Sequence, residues 1–181
     1  WSSDVFSSDL RIMMAAIEEI NQNGIKFTMA DLATRLAVSK STLYTHFSSK
    51  EEMIGTIMDS LMSNMQRQDE EIMNNNELSL QEKMKALLLS EPKALGAIGN
   101  RFIIDLKRHL PEEFKKGDKC QHRKWQMVEI LLNQGIITGD FRSVDLTITK
   151  VMFNATINEL LNPNFLMHSN QTLIDALGKM T

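Results

Sequence analysis

The sequence predicts an all-α protein of about nine helices. A three-helix domain carrying a helix-turn-helix comes first, and a larger helical bundle follows. Three observations support this. Gly and Pro are scarce, at 8 and 3 of 181 residues, while Met reaches 13, a balance that favours helix over sheet. Apolar residues recur at three- and four-residue spacing along most of the chain. Helix-start signals also stand at regular intervals.

Composition sets the class. With 43% apolar and 24% charged residues, the chain has the balance of a soluble globular protein of one large or two small domains. No apolar run approaches the roughly 20 residues that span a bilayer, and no signal peptide is visible. Cys120 is the single cysteine, so no internal disulfide forms and a reducing cytoplasm is the expected setting. Trp1 is not a usual translation start, so residues are expected ahead of it. The net charge is −3 and the pI about 5.8, which argues against a generic nucleic-acid coat. Within residues 1–50 the charges balance, with Arg11, Lys26, Arg35, Lys40 and Lys50 against Asp4, Asp9, Glu18, Glu19 and Asp31.

The first helix reads from Leu10, Met13, Met14, Ile17 and Ile20, with Asn23-Gly24 as its stop. Thr28 and Asp31 form a capping box for the second, and Phe27 and Leu32 form its hydrophobic staple. Leu32, Ala33 and Leu36 make the buried face. Ser39 starts the third helix, with Val38 and Leu43 as a second staple. On this helix Leu43 and Phe47 share an inward face. At about 100° per residue, Ser41 and Thr45 point the opposite way. Tyr44 lies on one flank, Thr42 and His46 on the other, and Lys40 in the first turn. Small hydroxyls can approach base edges closely, while Tyr, His and Lys reach phosphates. Ser49 and Glu52 form a further capping box, with Lys50 in the first turn of the next helix. Helix-turn-helix corners also occur in proteins that never touch nucleic acid.

Met53, Ile54, Ile57, Met58, Leu61, Met62 and Met65 continue down a long helix to Asn74-Asn75-Asn76, and the domain boundary is placed near Gly55. Later helices are expected over 79–91, then from Pro92 through Leu95, Ile98, Phe102, Ile103 and Leu106. The next runs from Pro111 through Phe114, Trp125, Val128, Leu131 and Leu132 to a stop at Gly135. Another is capped by Ser143 or Asp145 and carries Ile148, Val151, Met152, Ala155, Ile157, Leu160 and Leu161. The last spans 171–180.

The run from Thr28 to Met53, above all Leu43-Tyr44-Thr45-His46-Phe47-Ser48-Ser49-Lys50-Glu51, resembles the DNA-binding domain of the tetracycline-repressor (TetR) family. Ala37 and Ser41 stand where that family often has Gly. The resemblance implies that Thr28 and Tyr44 contact the DNA backbone and groove edge. It implies that His46 and Lys50 contact phosphate, and that Lys40, Ser41, Thr42 and Thr45 read bases. It also implies a DNA-binding domain over 1–54 and a helical ligand-binding and dimerisation domain over 55–181. Two chains would pair through helices 144–162 and 171–180 and bind a double-stranded operator. A small-molecule inducer would release them.

Other chemistry is weakly supported. Asp118, Cys120 and His122 alternate, but no second cluster completes a coordination sphere, so no metal and no cofactor are expected. No phosphate loop, nucleophile elbow or paired acidic motif suggests an enzyme. The basic segment Lys107, Arg108, His109, Lys115, Lys116, Lys119, Arg123 and Lys124 is interleaved with acids and reads as a solvated face. The Met, Phe and Trp residues of the second domain suit a plain core as well as a pocket. With the family in mind, Phe102, Ile103, Leu106, Trp125, Val128, Met152, Phe153 and Asn154 are the ligand candidates, and Asn158 is a further polar one. The reading is a cytoplasmic, ligand-responsive repressor that forms a homodimer and has no membrane partner. A helix-turn-helix activator and a DNA-independent helical ligand-binding protein are the alternatives.

Overall fold

The computed structural model describes residues 2–90 and 98–168, together with Asp175 and Gly178. Among the described residues there are nine α-helices and no strand. They are α1 (Ser2–Asn23), α2 (Met29–Leu36), α3 (Lys40–His46), α4 (Lys50–Asn74), α5 (Leu80–Leu88), α6 (Asn100–His109), α7 (Pro111–Thr138), α8 (Leu146–Leu160) and α9 (Pro163–His168). No helix among them is long and apolar enough to cross a membrane.

The start and stop signals place the first four helices. α1 ends where Gly24 takes φ +84° and donates its N–H to Ile20 O at 2.8 Å. At α2 the Thr28 hydroxyl accepts from Asp31 N–H, and the Asp31 carboxylate accepts from Thr28 N–H at 2.7 Å. Phe27 and Leu32 are both buried, as a staple requires. The turn to α3 is made by Ala37 in the left-handed region, φ 53°. Ala37 N–H donates to Thr34 O at 3.1 Å and Val38 N–H to Ala33 O at 3.0 Å. These bonds offset a strain of about 1–2 kcal/mol that glycine would not incur.

Several expectations change. Val38 remains 40% exposed beside a fully buried Leu43, so the second staple contributes little and the turn rests on its backbone bonds. On α1, Met14 faces outward, and Ile12 and Ala16 join the buried stripe. Ser49 Oγ accepts from Glu52 N–H at 3.0 Å, but the Glu52 carboxylate reaches one residue further back, to Ser48 N–H at 2.7 Å and the Ser48 hydroxyl.

The helix expected to run from Pro92 through Leu106 does not do so. Residues 98 and 99 are non-helical and α6 starts at Asn100, while the Pro92 start lies outside the described residues. Gly99 N–H donates to Asn21 Oδ1 at 3.1 Å, a close approach in which a Cβ would sit 2.8 Å from the same oxygen. α7 does not stop at Gly135 but continues to Thr138. Gly135 is needed for space: a Cβ there would lie 2.1 Å from the Phe141 ring, and Phe141 N–H donates to Gly135 O at 2.9 Å. Gly139, φ +85°, follows the helix end instead. Of the two candidate caps for α8, Asp145 is the one used. The short α9 was not expected, and the 171–180 helix lies largely outside the described residues.

The chain forms two compact units, one of residues 1–62 with 92–116, the other of 63–91 with 117–181. In the first, Ile17, Ile20, Leu32, Leu43, Phe47, Met53, Ile54 and Ile57 share a core with Phe102 and Leu106 of α6. In the second, Leu87, Trp125, Val128 and Leu131 are buried, and Phe153 packs against them.

The second unit also buries an ion pair. Lys124, expected on a solvated face, is buried with Asp69, which is 1% exposed. Lys124 Nζ donates to Asp69 Oδ1 at 3.2 Å, to Leu87 O at 2.9 Å and to Ser90 Oγ. The Ser90 hydroxyl donates to Asp69 Oδ1 at 2.6 Å. Burial pushes the Lys124 ammonium below its ordinary pKa, and Asp69 opposes that shift. The register could have revealed it, since Lys124 falls four residues from Val128 on the buried face of α7. Lys124→Ala, which strands a buried carboxylate, is expected to cost about 3–5 kcal/mol. Lys124→Met combined with Asp69→Leu should recover most of that loss, and urea unfolding of the three proteins checks the pattern.

Candidate nucleic-acid interface

The surface of α3 is set by what lies beneath it. Leu43 and Phe47, 0% and 4% exposed, anchor one face in the core of the first unit. Ser41, Thr42, Tyr44 and Thr45 are exposed on the other sides. Lys40 Nζ lies 5.7 Å from the centre of the Tyr44 ring, so this cation and the half-exposed phenol form one flank. The Thr45 hydroxyl donates to Thr42 O at 2.6 Å, leaving its acceptor positions free. The Thr42 hydroxyl pairs with Ser39 Oγ at 2.7 Å. The Ser41 hydroxyl makes no hydrogen bond within the described residues, which leaves both its donor and its acceptors available.

The remaining candidates carry structural bonds. Thr28 Oγ1 is occupied by the α2 cap, accepting from Asp31 N–H at 3.2 Å and donating to Asp31 Oδ2 at 2.8 Å. His46 Nδ1 lies 2.6 Å from Asp9 Oδ1, which ties the end of α3 to α1. Lys50 Nζ donates to Ile25 O at 3.0 Å and Phe27 O at 3.1 Å, over the Phe27 ring. Asp9 was missed in the sequence because its partner is 37 residues away. Arg35 is likewise tied to α1, to Glu19 at 2.6 Å and Glu18 at 3.4 Å. The outward positive charge of this face is therefore smaller than the residue count suggests.

The ligand candidates separate. Phe102 and Leu106 lie in the core of the first unit, next to the helix-turn-helix, whereas Trp125, Val128 and Phe153 belong to the second. Ile103, beside Phe102 on α6, is partly buried. Met152 is 64% exposed. Asn154 lines an open cleft of about 350 Å³ with Asp118, Gln121, His122, Trp125, Lys150 and Asn158. Its walls are mostly polar, the Trp125 ring packs 5.6 Å from Phe153, and the buried Trp125 indole N–H has no acceptor among the described residues. Asp118 and His122 thus meet on one face of α7, while Cys120 is buried on another. Burial pushes the Cys120 thiol above its usual range.

A short helix anchored by Leu43 and Phe47, with hydroxyls outward and a capped corner behind it, is a helix-turn-helix. Residues 12–57 match the family described as bacterial regulatory proteins, tetR family. The chain is 28% identical over 157 residues to the HTH-type transcriptional regulator YvaF of Bacillus subtilis, covering 87% of this chain and 83% of that one. The matched segment runs from α1 through the helix-turn-helix into the first turns of α4. The fold of the chain is similar to that of the ketosteroid transcriptional regulator KstR2 of Mycobacterium tuberculosis, with a TM-score of 0.66 and 17% identity over 96% and 90% of the two chains. It is also similar to that of FadR from Bacillus subtilis in complex with stearoyl-CoA, with a TM-score of 0.64 and 21% identity over 94% and 93%.

The capping carboxylates give this face a pH dependence. The Thr28 backbone and side chain hold Asp31 below its ordinary pKa, and the Ser48 hydroxyl and backbone do the same for Glu52. Groups with depressed folded-state pKa values stabilise above their unfolded pKa, and that contribution is lost as pH falls through the folded value. Thermal midpoints should therefore decline below about pH 4.5. Thr28→Val with Ser48→Ala should flatten the decline in a circular-dichroism melting series.

Proposed function

We propose that this chain is a cytoplasmic repressor that binds a near-palindromic operator as a homodimer and leaves it when a small molecule binds the second domain. Residues 1–54 supply the DNA contacts, and residues 55–181 supply regulation and pairing. The outward hydroxyl face of α3, held by Leu43 and Phe47, carries this reading. Ser41 and Thr45 read base edges, with Lys40 and Thr42 beside them. Tyr44 and Thr28 fix the helix against the DNA backbone, and His46 and Lys50 contact phosphates at the ends of α3 and α4.

Pairing is supported by α8. Ile148, Val151 and Met152 are 57%, 60% and 64% exposed, an apolar stripe at helical spacing that a second copy would cover. The dimer interface then uses 144–162 together with 171–180, and the two α3 helices enter major grooves about 34–36 Å apart. The cleft bearing Lys150, Asp118, His122 and Asn154 is the candidate effector site. Its polar lining suits a small polar molecule better than an acyl chain such as that of the FadR ligand. A ligand that favours the non-binding state lowers operator affinity by a coupling of about 1–3 kcal/mol.

Two measurements test the reading. Tyr44→Ala should weaken every operator about tenfold or more, whereas Ser41→Ala and Thr45→Ala should shift which operator is preferred. Fluorescence anisotropy with the DNA upstream of the coding region reads both effects, and an unchanged Tyr44→Ala affinity would refute the docking. Analytical ultracentrifugation at micromolar concentration should give a dimer, and a monomer there would exclude paired-groove binding.

A further inference from the structure

The turn that leads into the helix-turn-helix is held by a helix some 80 residues further along the chain. Arg101 on α6 forks over the end of α1, donating from Nη1 to Gln22 O and from Nη2 to Asn23 O, each at 2.9 Å. These are among the last carbonyls of α1, which have no partner within their own helix. One turn on, the Asp105 carboxylate accepts from Ile25 N–H at 2.8 Å. At the start of α6, Gly99 N–H donates to Asn21 Oδ1. The four bonds join residues 78 to 80 positions apart. Gly24 fits between them, since a Cβ there would lie 2.7 Å from Asp105 Oδ2 and 2.9 Å from Arg101 Nη2.

The far side of the same turn is held by α4. Ile25 offers its N–H to Asp105 and its carbonyl to Lys50 Nζ, which also takes Phe27 O. The next residue, Thr28, caps α2. The Ile25 peptide is therefore clamped between α6 and the first turn of α4. Phe102 and Leu106, 2% and 3% exposed, seat α6 in the core of this same unit.

We infer that Arg101 and Asp105 are positioning residues for DNA binding: through the 24–28 turn and the Ile25 peptide they hold Lys50 and the start of α2 where the operator requires them. This rests on the docking proposed above, in which Thr28 and Lys50 meet the DNA backbone. A purely structural role predicts a lower melting temperature with unchanged affinity of the folded protein. A positioning role predicts that operator affinity falls while the protein is still folded.

The test uses the full chain and an operator duplex selected from a random library with the wild-type protein. Asp105→Ala should speed hydrogen exchange at the Ile25 amide and lower operator affinity about tenfold, measured well below its melting temperature. Asp105→Asn keeps an acceptor oxygen and should restore both. Arg101→Lys keeps the charge but loses the planar fork, and should lower affinity several-fold, which preserves the comparison if Asp105→Ala does not fold. Unchanged Ile25 exchange in Asp105→Ala would overturn the clamp itself. Faster exchange with wild-type affinity would overturn its role in DNA binding. If the wild-type chain enriches no duplex, the operator reading falls and takes the positioning role with it, while Ile25 exchange still reports on the clamp.

Discussion

The exposed face of α3 depends on one constraint: α2 and α3, of 8 and 7 residues, are too short to be stable helices by themselves. Isolated helices below about 12–15 residues are marginal in water. These two exist because Leu32, Leu43 and Phe47 are buried, each apolar side chain contributing roughly 1.5–3 kcal/mol. The same burial sets the rotation of α3. With Leu43 and Phe47 inward, Ser41 and Thr45 have to face out, and a slip of one residue would turn them by about 100°. Packing and presentation are the same fact seen from two sides.

Electrostatics around this corner serve the fold first. Arg35 is committed to Glu18 and Glu19, His46 to Asp9, and Lys50 to two carbonyls. Each bond fastens one short helix or turn to a longer neighbour. The outward charge that remains is modest, in keeping with an acidic chain of net charge −3. Counterion release from so few contacts would give only weak non-specific binding to a nucleic acid. Such a surface relies on shape and hydroxyl placement, and two copies acting together would multiply what one provides.

The second unit shows the opposite economy of exposure. It buries a lysine and an aspartate, Lys124 and Asp69, yet leaves Ile148, Val151 and Met152 of α8 open. The buried pair is hydrogen-bonded through Asp69 Oδ1 and joins α4, the end of α5 and α7. A well-packed apolar set could match its stability, so its value lies more in fixing one register among three helices.

What could be read in the sequence was local. Thr28–Asp31 as a capping box, Ser39 as an N-cap, Gly24 as a helix stop and the Leu43/Phe47 face all involve residues within one or two turns of each other, so their chemistry was visible in spacing. The family resemblance rested on that same segment. Long-range decisions were not visible. Gly135 resembles a helix stop, yet it is a notch for Phe141, and Gly99 looked like helix interior until Asn21 approached it. Lys124 read as surface because its partner sits 55 residues earlier, and Asp105 gave no sign that it would hold Ile25. The sequence by itself determined which short segments are helical and which side chains α3 turns outward, because capping and periodicity act over a few residues. Only the tertiary structure decided that α6 belongs with the helix-turn-helix and which charges are turned inward, because those outcomes depend on contacts between segments that the chain order keeps far apart.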